Sequence, residues 1–484
     1  MTSQPDRRDF LRAAALAGVG LGLGGCRTGG ATVEGDISAT PLASPTTALF
    51  AAPPLDRVRV GFVGVGHQGS SHVTNFLKID GVDVVAICDV TPENLARSQK
   101  AVTDAGRPLP KGYGERGLRD FERMIGQERL DLVFTATPWE WHAPVMLAAM
   151  RAGVHAATEV PMAVTLDECW ELVETAERTR RHCIMMENCC YDRAELMILN
   201  MVRHGVFGEL LHAECGYLHD LRQLKLSDFY YDRWRVKHSI RRNGDLYPTH
   251  GIGPVAQWLD INRGNQFDHL VSMATKSRGL NLWAAAALGP DSPEARQRYA
   301  LGDVVTTLIR TKRGETIEIT HDTSSPRPYS RNIVLQGTRG LVRKYPEQRI
   351  YIEGRSPQHD RWEDLEAYRA QYDHPLWTGL DARAAGAGHG GMDYIEDFRL
   401  VQSLRQGAPM DFDVYDGAAW TAVIMMSEQS IASRSRSVDF PDFTRGAWKS
   451  RPALGIIDAD GRMTPGQGPG AKGQGEGQAS NAAP

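Results

Sequence analysis

Between residues 57 and 160, short apolar runs rich in β-branched residues alternate with longer segments of mixed polarity. This alternation predicts strands at 57–63, 82–88, 130–137 and 154–160, with helices at 70–79 and 143–152 between them. Strands separated by helices make a parallel sheet covered on both faces. From residue 210 the pattern changes to strand candidates at 210–217, 267–276, 303–311, 316–322, 332–337 and 340–344. Turn residues at Gly302-Asp303, Lys312-Arg313-Gly314 and Gly337-Thr338-Arg339-Gly340 separate them, and the clearest hairpin folds about Arg313-Gly314. The second half therefore reads as a mainly antiparallel open sheet. Helices are predicted at 251–259, 392–406 and 414–433, the last returning to pack on the first half. The Gly- and Ala-rich stretch 380–392, with Gly388-His389-Gly390-Gly391, reads as a loop over the site. The predicted organisation is α/β plus α+β, with domains at 57–185 and 186–452 and no internal repeat.

The two ends differ from this. Arg7-Arg8 and Phe10-Leu11 precede a small apolar run, residues 13–23, too short to span a bilayer of roughly 30 Å. Residues 1–30 read as an export signal of the twin-arginine kind, passed by the Tat translocon as a folded protein. Leu23-Gly24-Gly25-Cys26 resembles a lipoprotein cleavage box, with Cys26 the candidate for a lipid anchor. The expected location is the periplasm or cell envelope. Residues 31–56 read as a flexible tether, and 453–484, rich in Gly, Gln and Ala, as a disordered tail.

Composition narrows the class. With 55 basic against 59 acidic residues, the chain has no cationic excess for nucleic acid. A charged fraction of 24% excludes a polytopic membrane protein. Seven cysteines in 484 residues cannot build a disulfide scaffold. Cys189 and Cys190 are neighbours, and no structural disulfide is expected. The histidines lack metal spacing and no cysteine pair has a zinc pattern, so no metal is expected. Homo-oligomerisation is left open.

The first strand runs directly into Gly64-Val65-Gly66-His67-Gln68-Gly69, a G-x-G-x-x-G followed by a helix and a second strand ending at Asp89. The glycines allow a tight turn, close approach of a pyrophosphate and close helix–strand packing, and the acid suits the ribose hydroxyls of NAD. Helix capping beside Thr91 is the competing reading of Asp89. Ligands of such sheets lie beyond the carboxyl ends of strands. Trp139, Glu140, Trp141 and His142, together with Glu159 and Val160, should then border the nicotinamide half. A simple helix-start role is the alternative for His142.

This succession resembles the glucose-fructose/inositol oxidoreductase family, whose members pair a Rossmann domain with a sheet domain. Its dehydrogenases usually carry Glu-Lys-Pro where this chain has Glu159-Val160-Pro161. Valine cannot carry the hydroxyl proton, which argues against a net dehydrogenase. Trp139-Glu140-Trp141-His142, Thr158-Glu159-Val160-Pro161, Met186-Glu187-Asn188-Cys189-Cys190-Tyr191 and Gly244-Asp245-Leu246-Tyr247-Pro248-Thr249-His250-Gly251 resemble glycoside hydrolase family 109 more closely. That resemblance implies an NAD-dependent α-N-acetylgalactosaminidase acting on a glycan or glycoconjugate. The implied chemistry is oxidation at C3 of the sugar, elimination, water addition and reduction, with NAD recycled in each turnover. The resemblance makes Tyr191, His250 and Tyr247 the first candidates for proton transfer. It sets Asn188 and Glu159 against nicotinamide and ribose, and Tyr217, Arg235, Tyr247, Pro248, Thr249, His250 and Tyr329 against the sugar. Arg233 competes with Arg235, simple packing competes for Tyr191, and which group moves which proton is open. An NAD-dependent sugar oxidoreductase that releases a keto-sugar is the alternative function.

Overall fold

A computed structural model of the chain describes residues 52–464. The signal, the acylation box and most of the tether lie outside the described residues, as does the tail beyond 464. Strands β1 (Val58–Val63), β2 (Val82–Cys88), β3 (Lys111–Tyr113), β4 (Leu132–Thr135), β5 (His155–Thr158) and β6 (Cys183–Met185) form one parallel sheet in the order β3-β2-β1-β4-β5-β6. This is the doubly wound dinucleotide-binding order. Its central strands are almost wholly buried, as continuous apolar runs in a parallel sheet must be.

Register decides where the functional loops emerge. Val63 pairs with both Cys88 and Thr135, and Thr135 pairs with Thr158. The four strands thus end in line, and the segments after them all open at one edge of the sheet: the glycine loop, Asp89, residues 136–142 and Glu159.

The second sheet has nine strands. β7 (Leu210–Leu218), β8 (Phe267–Ala274), β9 (Val304–Thr311), β10 (Thr316–Asp322), β11 (Val334–Gly337), β12 (Gly340–Arg343), β13 (Arg349–Ile352), β14 (Glu363–Asp364) and β15 (Val438–Asp439) lie in the order β14-β13-β12-β11-β7-β10-β9-β8-β15. All its pairs are antiparallel except β7 with β10. β9 shows the alternating burial of a sheet with one covered face.

Six helices matter for the site: α1 (Gln68–Phe76), α2 (His142–Arg151), α3 (Leu166–Thr179), α4 (Thr249–Trp258), α5 (Met392–Gln406) and α6 (Val414–Ala432). α6 packs on β8 and on α3, joining the two sheets as its apolar length predicted. α5 lies on α1, the helix that follows the glycine loop.

Three expectations are corrected. Residues 453–464 are not part of a disordered tail: Ile456 and Ile457 are buried in a two-stranded ribbon with Met463–Thr464. Arg203 donates to Leu454 O at 2.7 Å, so this polar-looking stretch orders itself on a partner remote in sequence. At the other end, Ala52 is buried and Leu55 N donates to Leu404 O at 3.1 Å, so the last residues of the expected tether are docked on α5. The segment 380–392 is only partly loop, since Pro375–Ala384 is helical and the glycines follow it.

Candidate active site

The aligned strand ends and the second sheet enclose a cleft of about 1080 Å³. Gly64, Gly66, Gln68, Asp89, Trp139, Glu140, Trp141, His142, Glu159, Val160 and Asn188 all line it, and so do Tyr217, Arg235, Tyr247 and His250.

The glycine loop fits a dinucleotide by steric necessity. Gly64 has φ +78°, and a Cβ there would meet Ala136 backbone at 3.0 Å; a Cβ on Gly69 would lie 2.0 Å from Gly64 O. At Gly66 the nearest atom to an added Cβ is the Asn94 side chain at 3.8 Å, which leaves the backbone open to the cleft. The N-terminus of α1 points its unpaired N–H groups at the same place, where an anion is stabilised. Asp89 accepts from Val65 N and from Thr91 N, both at 2.8 Å. One carboxylate thereby ties the loop down, and its remaining lone pairs face the cleft. Phe229, on a loop of the second domain, stacks on His67 with ring centroids 3.7 Å apart. The cofactor cradle is thus covered from the substrate side.

Some cleft residues act as struts. His142 is buried with Nδ1 2.6 Å from Pro161 O and Nε2 2.8 Å from Thr137 O. Both nitrogens are committed to backbone, so the ring fastens two strand-end loops and has no nitrogen left for a ligand. Asn188 donates to Asp393 Oδ1 at 2.7 Å.

The end of the cleft away from the glycine loop is aromatic and cationic. Arg235 lies 4.8 Å from the Tyr247 ring centre, 5.4 Å from that of Trp139 and 5.9 Å from that of Tyr217, and donates to Tyr230 Oη at 3.1 Å. Cation–π contact holds a guanidinium in such a box with donors left for hydroxyls. Arg233 instead pairs with Asp228 and Glu294 and does not line the cleft, which Arg235 does. Burial pushes the Tyr247 and Tyr217 phenols up, although Arg235 opposes it, so both are protonated donors at neutral pH. Tyr217 Oη is 3.0 Å from His219 Nδ1.

His250 sits in the first turn of α4 with Nδ1 2.7 Å from Glu187 Oε1. Glu187 is completely buried. Glycine at 253 makes the approach possible, since a Cβ there would lie 2.8 Å from Glu187 Cγ and 3.0 Å from Cys190 Sγ. A buried carboxylate fixing one imidazole nitrogen leaves the other free for proton transfer in the cleft that His250 lines, the arrangement of hydrolase dyads. Among the described residues, Glu187, Cys189 and His250 are the group whose ligand atoms come close enough for a metal. Glu187 and His250 already satisfy each other.

A second histidine was not predicted as a site residue. His389, half-exposed on the glycine-rich loop, has Nδ1 2.7 Å from Asp393 Oδ2 and lines the cleft. The hydrogen bond to Asp393 raises its pKa over the opposing effect of burial. The charged form of His389 is thus favoured at the cleft. Its place in a Gly-His-Gly-Gly run was the available signal. Glu187 had none beyond adjacency to Asn188.

Four predicted residues lie elsewhere. Tyr191, expected to move a proton, donates to Asp411 Oδ2 at 2.9 Å and lines a small separate cavity with Arg399 and Phe412. Asp411 is ion-paired with Arg399 at 2.7 Å, and burial of the phenol beside that carboxylate pushes its pKa far up. The short turn at 188–191 carries the side chain away from the cleft wall. Pro248 and Thr249 are buried at the start of α4 and do not line the cleft; they set the helix that presents its neighbours Tyr247 and His250. Tyr329 is exposed at the rim, its ring 5.1 Å from that of His219.

A glycine-loop Rossmann sheet joined to a nine-stranded sheet, with the cleft between them, defines an NAD-binding enzyme of the oxidoreductase fold. The family model of the oxidoreductase family, NAD-binding Rossmann fold, matches residues 58–187. That of the glycosyl hydrolase 109 C-terminal domain matches residues 191–450. A glycosyl hydrolase family 109 protein of Shewanella pealeana is 45% identical over 457 residues, which is 93% of this chain and 99% of the relative. One from Shewanella amazonensis is 46% identical over 458 residues, 94% of this chain and 99% of the relative. The chain belongs to glycosyl hydrolase family 109. Among solved structures, levoglucosan dehydrogenase with NADH and L-sorbose superposes with TM-score 0.61 at 21% identity, covering 80% of this chain and all of that one. An inositol dehydrogenase homolog with NAD+ from Azotobacter vinelandii gives 0.60 at 18%, covering 81% and 99%. These two share the fold. NAD is the cofactor.

Proposed function

We propose that the chain hydrolyses terminal α-N-acetylgalactosamine from glycans through a cycle in which NAD is not consumed. The observation that carries this is the pairing, in one cleft, of a dinucleotide cradle with two carboxylate-oriented histidines, while the lysine position of the related dehydrogenases is the inert Val160. Bound NAD would supply reversible removal of hydride from C3 of the sugar, and the C3 hydroxyl proton would leave with it through Tyr217 Oη to His219 Nδ1, 3.0 Å away.

The chain's own residues do the rest. Arg235, Tyr217 and Tyr247 hold the sugar hydroxyls and the face of the ring. His250, set by Glu187, takes a proton from the ring; once C3 is a carbonyl, the C2 proton is acidic enough for an imidazole. Loss of that proton expels the C1 oxygen, and His389, charged and at the mouth through which the aglycone leaves, protonates it. His389 then deprotonates the water that adds to C1, His250 returns the proton to C2, and Tyr217 returns the proton from His219 to the C3 oxygen as the hydroxyl is restored. The Phe229–His67 stack over the cradle favours a cofactor kept through many turnovers. The Arg7-Arg8 signal supports export of the folded, loaded protein to the periplasm or cell envelope, with Cys26 a candidate anchor.

The test uses purified protein, with no cofactor added, on an aryl α-N-acetylgalactosaminide in deuterated water. Released sugar bearing deuterium at C2, without accumulation of absorbance at 340 nm, is expected. A keto-sugar with one equivalent of reduced cofactor per sugar would instead assign an oxidoreductase, and cleavage with no cofactor dependence would exclude the cycle.

A further inference from the structure

Behind the nicotinamide end of the cleft lies a chain of buried charges that the proposed proton transfers leave unused. Glu159 follows the last residue of β5 and lines the cleft beside Val160. Its Oε1 is 2.8 Å from His72 Nε2, and its Oε2 accepts from Val160 N at 3.2 Å. His72, only 2% exposed, lies on α1 three residues beyond the glycine loop. Its Nδ1 is 2.8 and 2.9 Å from the two oxygens of Asp397 on α5. Asn75 donates to Asp397 Oδ2 at 2.9 Å, so the far carboxylate is fixed in turn.

An imidazole whose two nitrogens both face ionised carboxylates donates from both and is a cation; burial pushes Asp397 up to about 6, so at neutral pH it is still ionised. Burial opposes that charge, but the two carboxylates outweigh it and raise the pKa of His72 well above its ordinary value. Burial would likewise push Glu159 up; the His72 hydrogen bond and charge hold it below the usual carboxylate range. Glu396, packed alongside, is driven well up by burial, which favours its neutral form, and Asp393 is matched by His389. The chain Glu159–His72–Asp397 therefore carries one net negative charge, with Glu159 the member that reaches the cleft.

We propose that Glu159 is a fixed anion at the nicotinamide end, positioned as a carboxylate by His72 and Asp397, and that it biases the bound cofactor toward its oxidised form. The oxidised nicotinamide ring is cationic and the reduced ring neutral, so an adjacent carboxylate stabilises the first alone. A cofactor that must begin and end every cycle oxidised benefits from this bias. The inference rests on NAD being the cofactor and stands independently of which sugar is cleaved.

The holoprotein is poised against redox couples of known potential and followed at 340 nm, as wild type, Glu159→Gln and His72→Gln, between about pH 5.5 and 8, the range in which an unsupported buried carboxyl titrates. Glu159→Gln is expected to weaken oxidised relative to reduced cofactor about tenfold, raising the two-electron midpoint by about 30 mV at every pH. His72→Gln should lie at or below the wild-type midpoint at the alkaline end, where both carboxylates are ionised without their cation, and rise toward Glu159→Gln at the acid end, because Glu159 then titrates. A midpoint unchanged in Glu159→Gln overturns the proposal, and a pH-independent offset in His72→Gln reduces His72 to packing and overturns its positioning role. Should His72→Gln not fold, Asp397→Asn carries the same expectation. A normal offset in a protein that cleaves no galactosaminide would sink the glycosidase reading and leave this one standing.

Discussion

Tyr191→Phe separates the two roles that this residue could hold. The phenol donates one hydrogen bond, 2.9 Å, to Asp411. Asp411 is held besides by Arg399, whose Nε and Nη2 donate at 3.0 and 2.7 Å. Phenylalanine fills the same volume, so no cavity opens, and Asp411 keeps its cation, so no buried charge is orphaned. The loss is one hydrogen bond to a charged acceptor, usually about 1.5–3 kcal/mol, and the lower half of that range applies because the arginine remains. Were the phenol instead to move a proton in the cycle, the change would cost a factor of roughly 10²–10⁴, or about 3–5 kcal/mol of barrier. Urea unfolding of the holoprotein and kcat/KM on an aryl galactosaminide are measured side by side. A stability loss of about 1–2 kcal/mol with kcat/KM changed less than about twofold is expected. Wild-type stability with activity down a hundredfold would refute the assignment of this side chain to the Arg399–Asp411 cluster.

Two further outcomes follow from the carboxylate–histidine pairs. Glu187→Gln, which leaves His250 without the carboxylate that orients it, should lower kcat by about 10²–10⁴ with little change in cofactor binding, measured by turnover and cofactor titration. Activity within a few-fold of wild type would remove Glu187 from the dyad. Asp393 raises the pKa of His389, so the donor form is present below that raised value and lost as pH rises through it. Asp393→Asn should therefore move the alkaline limb of the kcat/KM profile to lower pH, and an unmoved limb would mean that His389 is not the proton donor read there.

The cofactor half was legible because its signals are local. A strand, three glycines, a helix and an acid within some thirty residues leave few other arrangements, and Gly64, Gly66, Gln68 and Asp89 stand at the cleft as expected. Arg235 and His250, named through the resemblance, line the cleft. Tyr191 misled because it stands three residues after the cleft-lining Asn188, and the short turn between them carries its side chain into a separate cavity. His389 was visible only as part of a glycine cluster, since nothing adjacent announces that Asp393, one turn onward, will hold it charged.

What the chain order determined by itself was the class: alternating apolar runs specify a parallel sheet, and the glycine loop specifies what binds at its edge, because backbone geometry and nearest-neighbour sterics act over a few residues. The tertiary structure alone decided which acids meet which histidines. His250 meets Glu187 across 63 residues, and His72 meets Asp397 across 325. Such pairings depend on register, on the glycine that lets α4 approach the turn at 188–191, and on α5 returning to α1. Charge pairing in a buried site acts over a few ångströms of space, and separation along the chain carries no record of it.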